Sequence, residues 1–465
     1  MKKHQIVYGK AETGIQRKAV ALLTEYLLDA AKEYPACYAY GSECAGENVR
    51  SFYIGTAKTN PRLAKIAPEP LTHAEEYRVT VRDDTVYIEG ADDRGVLYGI
   101  VDFFGKYTVR LDHPADDRYH INCLEDVLPD AVLQSHPTVK CRGLWTWGHV
   151  IYDYRGYLDN MVKMKLNTVT VWNDAVPLNA SEFVSYAHDC GIRVIWGYSW
   201  LWSTDCKSVR FDRLEEQSGE LFAQYLREYA GLGGDGIYFQ SATELHGERV
   251  GGVVVAEAVT RFVNKTAALF FEHEPKLELQ FGLHATSVRT RLDIVASTDP
   301  RIRIVWEDCG AFPFSYFPTE VSSFDETMAL VREIACLRGE NDRFGVVTKG
   351  LTKLDWSSFE HPDAPRWIGV SSGDMKADRI LRKRKIWRSL QAAWLANAAY
   401  ARDAVRLMRD LKMGDLYISA LAEDGMIEAE LMYPAALFAE MLWDADRGLG
   451  EIMREVALRT DTVFA

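Results

Sequence analysis

Gly234-Asp-Gly-Ile-Tyr-Phe-Gln-Ser-Ala-Thr-Glu-Leu-His-Gly-Glu248 opens on a glycine-rich turn, climbs through the β-prone run Ile237-Tyr238-Phe239, and ends where polarity returns at Glu244, His246 and Glu248. A buried strand that delivers a carboxylate at its C-terminal end is how a parallel α/β barrel presents reactive groups. An ordinary buried strand followed by a solvated turn would look the same. The choice rests on whether neighbouring strands end alike.

From about residue 137 the chain alternates strand, polar turn, helix and strand, the pattern of βα units. The predicted strands are Arg142–Trp147, Thr168–Trp172, Arg193–Trp196, Gly236–Gln240, Leu277–Phe281, Arg303–Trp306 and Phe344–Thr348. An eighth, Trp367-Ile-Gly-Val370, is predicted to close a (β/α)8 barrel of the TIM type over residues 137–373.

Residues 1–125 read as a small α+β domain. It has strands at Gln5–Tyr8 and Ser51–Gly55, a helix over Ile15–Lys32, and a hairpin of Tyr77–Val81 and Thr85–Glu89 turning at Arg82-Asp83-Asp84. From Asp374 the strands are predicted to stop. Lys376–Lys412 and Met426–Val456 carry helical patterns, giving a helical C-terminal region over 374–465. Its apolar stripe, with Trp387 and Trp394, suits packing against its own barrel or self-association as a homo-oligomer.

Composition narrows the partners. Hydrophobic content of 48% and charged content of 26% are those of a soluble globular protein. A net charge of −13 disfavours nucleic acid and anionic membrane surfaces, which need clustered cations. Met1-Lys-Lys-His-Gln-Ile-Val-Tyr8 lacks a signal peptide's apolar run, and eight scattered cysteines without a CxxC pair suit a reducing compartment. A cytoplasmic location is expected. No dinucleotide turn, P-loop, GxSxG elbow or HExxH helix occurs, so neither cofactor nor metal is expected.

The strand ends do recur. Strand one ends in Trp145-Thr-Trp147 and strand two in Trp172-Asn173-Asp174. Strand three ends from Trp196, with Trp200 and Trp202 following, and strand four at Glu244 with His246 beyond. Strand five leads to His284, strand six to Trp306-Glu307-Asp308, and strand seven to Lys349 and Asp355-Trp356. Aromatic rings, amides, imidazoles and carboxylates at one barrel face are what sugar recognition uses. Cleaving a glycosidic bond needs an acid to protonate the departing oxygen. It also needs a second carboxylate to attack, to activate water, or to stabilise the oxocarbenium-like charge. Glu244 is the candidate acid. Glu307 is the candidate second carboxylate, with Asp308 and Asp355 as rivals. The competing reading has Glu307 or Asp308 paired structurally with a cation such as Lys349.

These residues resemble glycoside hydrolases of the β-N-acetylhexosaminidase and α-glucuronidase type. Asp92-Asp-Arg-Gly-Val-Leu-Tyr-Gly-Ile-Val-Asp-Phe-Phe104 is similar to the last helix of the domain preceding their barrels. Lys140-Cys-Arg-Gly-Leu-Trp145 resembles their first barrel strand, and Tyr157 to Asp174 the helix and strand that follow; Tyr186 to Ile195 fits the third unit. The resemblance covers about residues 75–250 and implies that Arg142 holds the terminal sugar. Hexosaminidases end strand four with Gly-Gly-Asp-Glu, where this chain has Ser241-Ala242-Thr243-Glu244. The acid is kept, but Thr243 cannot supply the charge that steadies an oxazolinium intermediate. The expectation is therefore a glycoside hydrolase acting on a terminal, hexosaminide- or uronide-like sugar, with a barrel that binds carbohydrate without cleaving it as the alternative.

Overall fold

The computed structural model describes residues 2–9, 13–43, 48–67, 69–113, 116–201, 210–307, 323–340, 342–353, 362, 364–411, 413–422, 426–428 and 432–460. The chain divides into two compact units, residues 1–137 with 188–191 and 450–465, and residues 138–187 with 192–449.

The N-terminal unit is built on β1 (Lys3–Tyr8), α1 (Gly14–Ala31), β2 (Ala36–Ala39), β3 (Val49–Gly55), α2 (Pro61–Ala64), β4 (Tyr77–Arg82), β5 (Thr85–Gly90), α3 (Asp93–Tyr107), β6 (Thr108–His113), β7 (Asp116–Leu124) and β8 (Ala131–Ser135). Thr13 starts α1 with a capping box, its side chain accepting the Gln16 N–H while Gln16 reaches back to the Thr13 backbone. One sheet runs β2-β1-β3-β5-β4-β8, parallel from β2 to β5. The β4–β5 hairpin turns through Asp83 and Asp84, both at positive φ, as a two-residue turn that follows the strand twist requires. Phe52 on one face of the sheet packs edge-on against Phe103 of α3, with ring centroids 5.6 Å apart.

The second unit is the barrel. Its elements are β9 (Cys141–Trp147), α4 (Tyr154–Lys163), β10 (Thr168–Trp172), α5 (Ala180–Asp189), β11 (Arg193–Ser199), α6 (Ser218–Glu228), β12 (Gly236–Gln240) and the short pair β13 (Arg249–Val250) and β14 (Val253–Val254). They continue with α7 (Val255–His273), β15 (Glu278–Leu283), α8 (Leu292–Val295), β16 (Arg303–Glu307), α9 (Phe324–Ala335), β17 (Arg343–Leu351), α10 (Gly373–Asp410) and β18 (Asp415–Ala422). Helix α11 (Tyr433–Trp443) follows, while α12 (Leu449–Arg459) belongs from Gly450 onward to the first unit. Strands β10-β11-β12-β15-β16-β17-β18-β9 form a closed, wholly parallel barrel. Among the described residues no helix is long and apolar enough to cross a membrane.

The eighth strand corrects the sequence expectation. It is Asp415–Ala422, from the span read as helical, and not Trp367–Val370. Only Val370 of that earlier run bridges, to Asp153 outside the barrel, and Trp367 is exposed. The long helix α10 occupies the connection, so the barrel closes far later in the chain than its spacing suggests.

Inside the barrel, side chains alternate with register. The N-terminal end is a buried ion network. Arg303 Nε donates to Glu278 at 2.9 Å and its Nη2 to Asp415 at 2.8 Å, while Arg193 donates to Glu278 at 2.9 Å. Burial acts to raise the Glu278 carboxyl, but the charges of Arg303 and Arg193 outweigh it and pull it down to about 2. A depressed carboxylate contributes stability that is present above its unfolded value of about 4.3 and is lost as pH falls towards the folded value. Acid unfolding followed by circular dichroism is thus expected to steepen below about pH 4. In Glu278→Gln that dependence shrinks. An unchanged acid limb in the variant would remove Glu278 from the account.

Above this network sits an aromatic plug. Trp145 stacks near Trp172 with centroids 6.0 Å apart and meets Trp147 and Tyr238 edge-on at 5.0 and 5.7 Å. These rings fill the barrel interior together with Ile195, Val305, Val347 and Tyr417.

Candidate active site

The site lies where β12, β15, β16 and β17 end. Tyr238 and Gln240 share the inward face of β12 because they are two residues apart. On β16 the inward residue at the end is Glu307, and on β17 Lys349 follows Val347 on the same face. His284 comes directly after β15.

Glu307 is 2% exposed and is held on every side. The Tyr238 hydroxyl and Gln240 Nε2 donate to its Oε1, and Lys349 Nζ donates to its Oε2. His284 Nε2 lies 3.2 Å from the same Oε2. Burial alone would raise this carboxyl, but the charges of His284 and Lys349 hold it well below the usual carboxylate range. Burial and the neighbouring Glu307 charge push the Tyr238 hydroxyl in the opposite direction, well above its ordinary value. Tyr238 therefore stays protonated and donating.

Glu244 differs in kind. Its side chain is 35% exposed, and its Oε1 is 2.8 Å from His284 Nε2, the same atom that faces Glu307. The nearest oxygens of the two carboxylates are thus no farther apart than the sum of those contacts. Burial works to raise Glu244 as well, yet the charge and hydrogen bond of His284 leave it below the ordinary value.

The turn carrying Glu244 is built for one geometry. Ala242 sits at φ 51, a left-handed conformation that a residue with a Cβ adopts only under constraint. The constraint is a set of hydrogen bonds from the segment after β15. Ser287 N and Oγ both donate to the Thr243 carbonyl at 3.1 Å, and His284 N donates to the Thr243 hydroxyl at 3.1 Å. Thr243, 1% exposed, is the position at which hexosaminidases carry aspartate. Here it ties the Glu244 turn to the backbone of His284.

Tyr238 reaches Glu307 only because β15 offers no side chain at Gly282, where an added Cβ would fall 2.6 Å from Tyr238 Cζ. Gly282→Ala is expected to displace the Tyr238 ring and cost about 1–3 kcal/mol through overpacking. Chemical denaturation measures the loss. A variant as stable as the wild type would show that the ring has room to move.

Of the residues singled out by sequence, Glu244, Glu307, His284 and Lys349 converge, and the pairing of Glu307 with Lys349 is present. Trp145, Trp147 and Trp172 are barrel core beneath them, buried to 4–5% exposure. Asn173 and Asp174 line a separate small hollow with Gly148, His149 and Trp367, and His246 is exposed on the turn beyond Glu244.

Three assignments are corrected. Arg142 stands at the start of β9, the opposite end of the barrel, fully buried, its guanidinium donating to the Lys165, Val139 and Lys140 carbonyls. It therefore does not reach a sugar at the strand ends. Trp196 and Trp306 lie one residue out of phase with the inward positions Ile195 and Glu307. Trp196 packs on Phe183 and Tyr229 outside the barrel, and Trp306 is 1% exposed. Asp308, Asp355, Trp356 and Trp202 lie outside the described residues.

Tyr238 and Gln240 escaped the sequence reading although both stand in the stretch that founded it. Their signal was parity, since residues two apart on a barrel strand point to one interior.

No family model matches this chain, and no curated protein matches it. Solved structures do match. One is a 4-O-methyl-α-glucuronidase of family GH115 with specificity for decorated arabinogalactans, at TM-score 0.58 and 12% identity, covering 99% of this chain and 59% of that one. A GH138 enzyme targeting pectin rhamnogalacturonan II matches at TM-score 0.55 and 13% identity, covering 97% and 52%. The β-N-acetylhexosaminidase from Bacteroides fragilis matches at TM-score 0.52 and 12% identity, covering 95% and 87%. The chain thus spans little more than half the length of the first two. At these identities the likeness is one of fold, and the fold is that of glycoside hydrolases built on a closed parallel (β/α)8 barrel.

Proposed function

We propose that the chain hydrolyses a glycosidic bond to a terminal, hexosaminide- or uronide-like sugar of an oligosaccharide, with Glu244 as general acid. The carrying observation is that two carboxylates of unequal exposure converge on one imidazole nitrogen at the C-terminal mouth of the barrel. Glu244 is open to a ligand. A sugar that covers it removes water and drives its carboxyl upward, towards the protonated form an acid needs. Glu307 has both oxygens engaged by donors, so it acts as the fixed negative charge that holds His284 and Lys349 in place. The attacking or water-activating carboxylate then falls to Asp308 or Asp355.

Two features favour a second reading, a barrel that binds sugar without cleaving it. Thr243 replaces the acetamide-orienting aspartate, and Glu244 is depressed where an acid would be raised. A panel of aryl glycosides, uronides and N-acetylhexosaminides included, separates the two. Release of the aryl group from at least one member is expected. Saturable binding with no release across the panel would establish the second reading instead.

A further inference from the structure

Residues 366–370, between β17 and α10, strap together the loops that follow β9 and β10. On the β10 side Ile368 N donates to Asn179 Oδ1 at 2.9 Å, Asn179 Nδ2 donates back to the Ile368 carbonyl at 3.0 Å, and Leu178 N donates to the Arg366 carbonyl at 3.0 Å. On the β9 side Gly369 N donates to the Ile151 carbonyl at 3.0 Å, and the Gly369 carbonyl accepts from Tyr154 N at 3.1 Å. The approach there is so close that a Cβ on Gly369, which sits at φ 63, would fall 2.3 Å from Tyr154 N. Ile368 is sunk at 1% exposure, whereas Trp367 stands 57% exposed on a backbone anchored from both sides. Every other described tryptophan is buried. One exposed apolar side chain is ordinary. An indole fixed outward beside a polar hollow calls for a ligand.

That hollow opens at the C-terminal ends of β9 and β10, the barrel face that also carries Glu244. Gly148 and Asn173 line it from the strand ends, and Pro177 and Trp367 from the loops. Asn173 is 9% exposed. Its Nδ2 donates to the Val171 carbonyl at 3.2 Å, which fixes the two ends of the amide, and no described residue donates to its Oδ1. Gly148 leaves room for that oxygen, since a Cβ there would fall 2.1 Å from it. The hollow holds about 20 Å³, enough for one water-sized group. A ring therefore stays outside, and one of its substituents enters. An aromatic face beside a sunken acceptor matches a pyranose, whose C–H face lies on the indole while one hydroxyl donates inward.

We propose that Trp367 and Asn173 form a subsite for a further sugar of the substrate, with the pyranose ring stacked on Trp367 and one hydroxyl donating to Asn173 Oδ1. The inference rests on the reading that the barrel mouth takes an oligosaccharide. Strand order places β10 two strands from β12, about 10 Å along the barrel wall, so the sugar at Trp367 is not the one that meets Glu244. Because the proposed cut releases a terminal sugar, this further unit belongs to the leaving group.

The test uses the intact chain with N-acetylchitotetraose and tetragalacturonate, and with their monosaccharides, as hexosaminide and uronide probes. Brief hydroxyl-radical footprinting read by mass spectrometry compares Trp367 with Tyr34, which is 82% exposed in the other unit. At saturation at least one tetrasaccharide is expected to slow Trp367 oxidation about tenfold and leave Tyr34 unchanged. Calorimetry in the Glu244→Gln background, which suppresses turnover, is expected to show that tetrasaccharide bound about tenfold more tightly than its monosaccharide. Trp367→Ala should remove that preference, Trp367→Phe should keep most of it, and Asn173→Ala should reduce it about threefold. Trp367 left unprotected by both tetrasaccharides overturns the subsite, as does a preference that survives Trp367→Ala. Shielding of Trp367 without sugar as protein concentration rises makes the ring a contact between copies and likewise overturns it. Aryl release from monosaccharide glycosides alongside an unprotected Trp367 removes the subsite and leaves the hydrolase standing. Protection without release from any glycoside removes the hydrolase and leaves the subsite.

Discussion

Glu244→Gln lowers turnover of an aryl glycoside with a poor leaving group by about 10²–10⁴-fold, the range that a positioned general acid contributes. The same variant keeps far more of its activity on a dinitrophenyl glycoside, whose leaving oxygen departs without a proton. The contrast between the two leaving groups, read as kcat/KM, isolates proton donation from binding. Equal losses on both substrates, or none on either, would take the acid role away from Glu244. The pH profile carries a second signature. An acid must be protonated to act, so kcat/KM falls as pH rises through the Glu244 ionisation. Because the His284 charge holds that ionisation below its ordinary position, the descending limb lies at acid pH. His284→Gln removes the charge and moves the limb to higher pH; a limb that stays put assigns it to another group.

Lys349→Met costs about 3–5 kcal/mol of folding stability, because it leaves the buried Glu307 carboxylate without its nearest cation. The size of the effect follows from burial rather than from the pair's own strength, since replacing both members of a buried pair is often close to neutral. Lys349→Met combined with Glu307→Gln should therefore recover most of the loss, and denaturant titration of the three variants measures it. Glu307 is a carboxyl depressed by folding. Its contribution is present above the unfolded value of about 4.3 and disappears as pH falls through the folded value. In Lys349→Met that decline begins at higher pH than in the wild type. A double variant no better than the single one would mean that Lys349 matters for packing and not for charge.

Periodicity made the barrel legible, because seven parallel strands buried on both faces each print an apolar, β-branched run. Closure was hidden. Trp367-Ile-Gly-Val370 and Asp415-Leu-Tyr-Ile-Ser-Ala-Leu-Ala422 both read as strand material, and what separates them is the partner each one meets. The 38-residue α10 between them breaks the rhythm of short βα units. At the site, residue type found Glu244, Glu307, His284 and Lys349, since carboxylates and cations after apolar strands are conspicuous. Type without parity misled at Trp196 and Trp306, which stand at strand ends but face the helices. Position along the strand misled at Arg142, which lies at the end of β9 remote from the loops. Tyr238 shows the reverse case, an aromatic counted as apolar wall whose hydroxyl is what the carboxylate uses.

The seam between β18 and β9 joins distant parts of the chain, with Thr146 Oγ1 donating to the Ala422 carbonyl across 276 residues. During synthesis on the ribosome, seven strands emerge before the last can pair, and both flanks of that partial sheet stay open while α10 is translated. Unpaired strand edges invite pairing with other chains, so the nascent protein is exposed to aggregation through this interval.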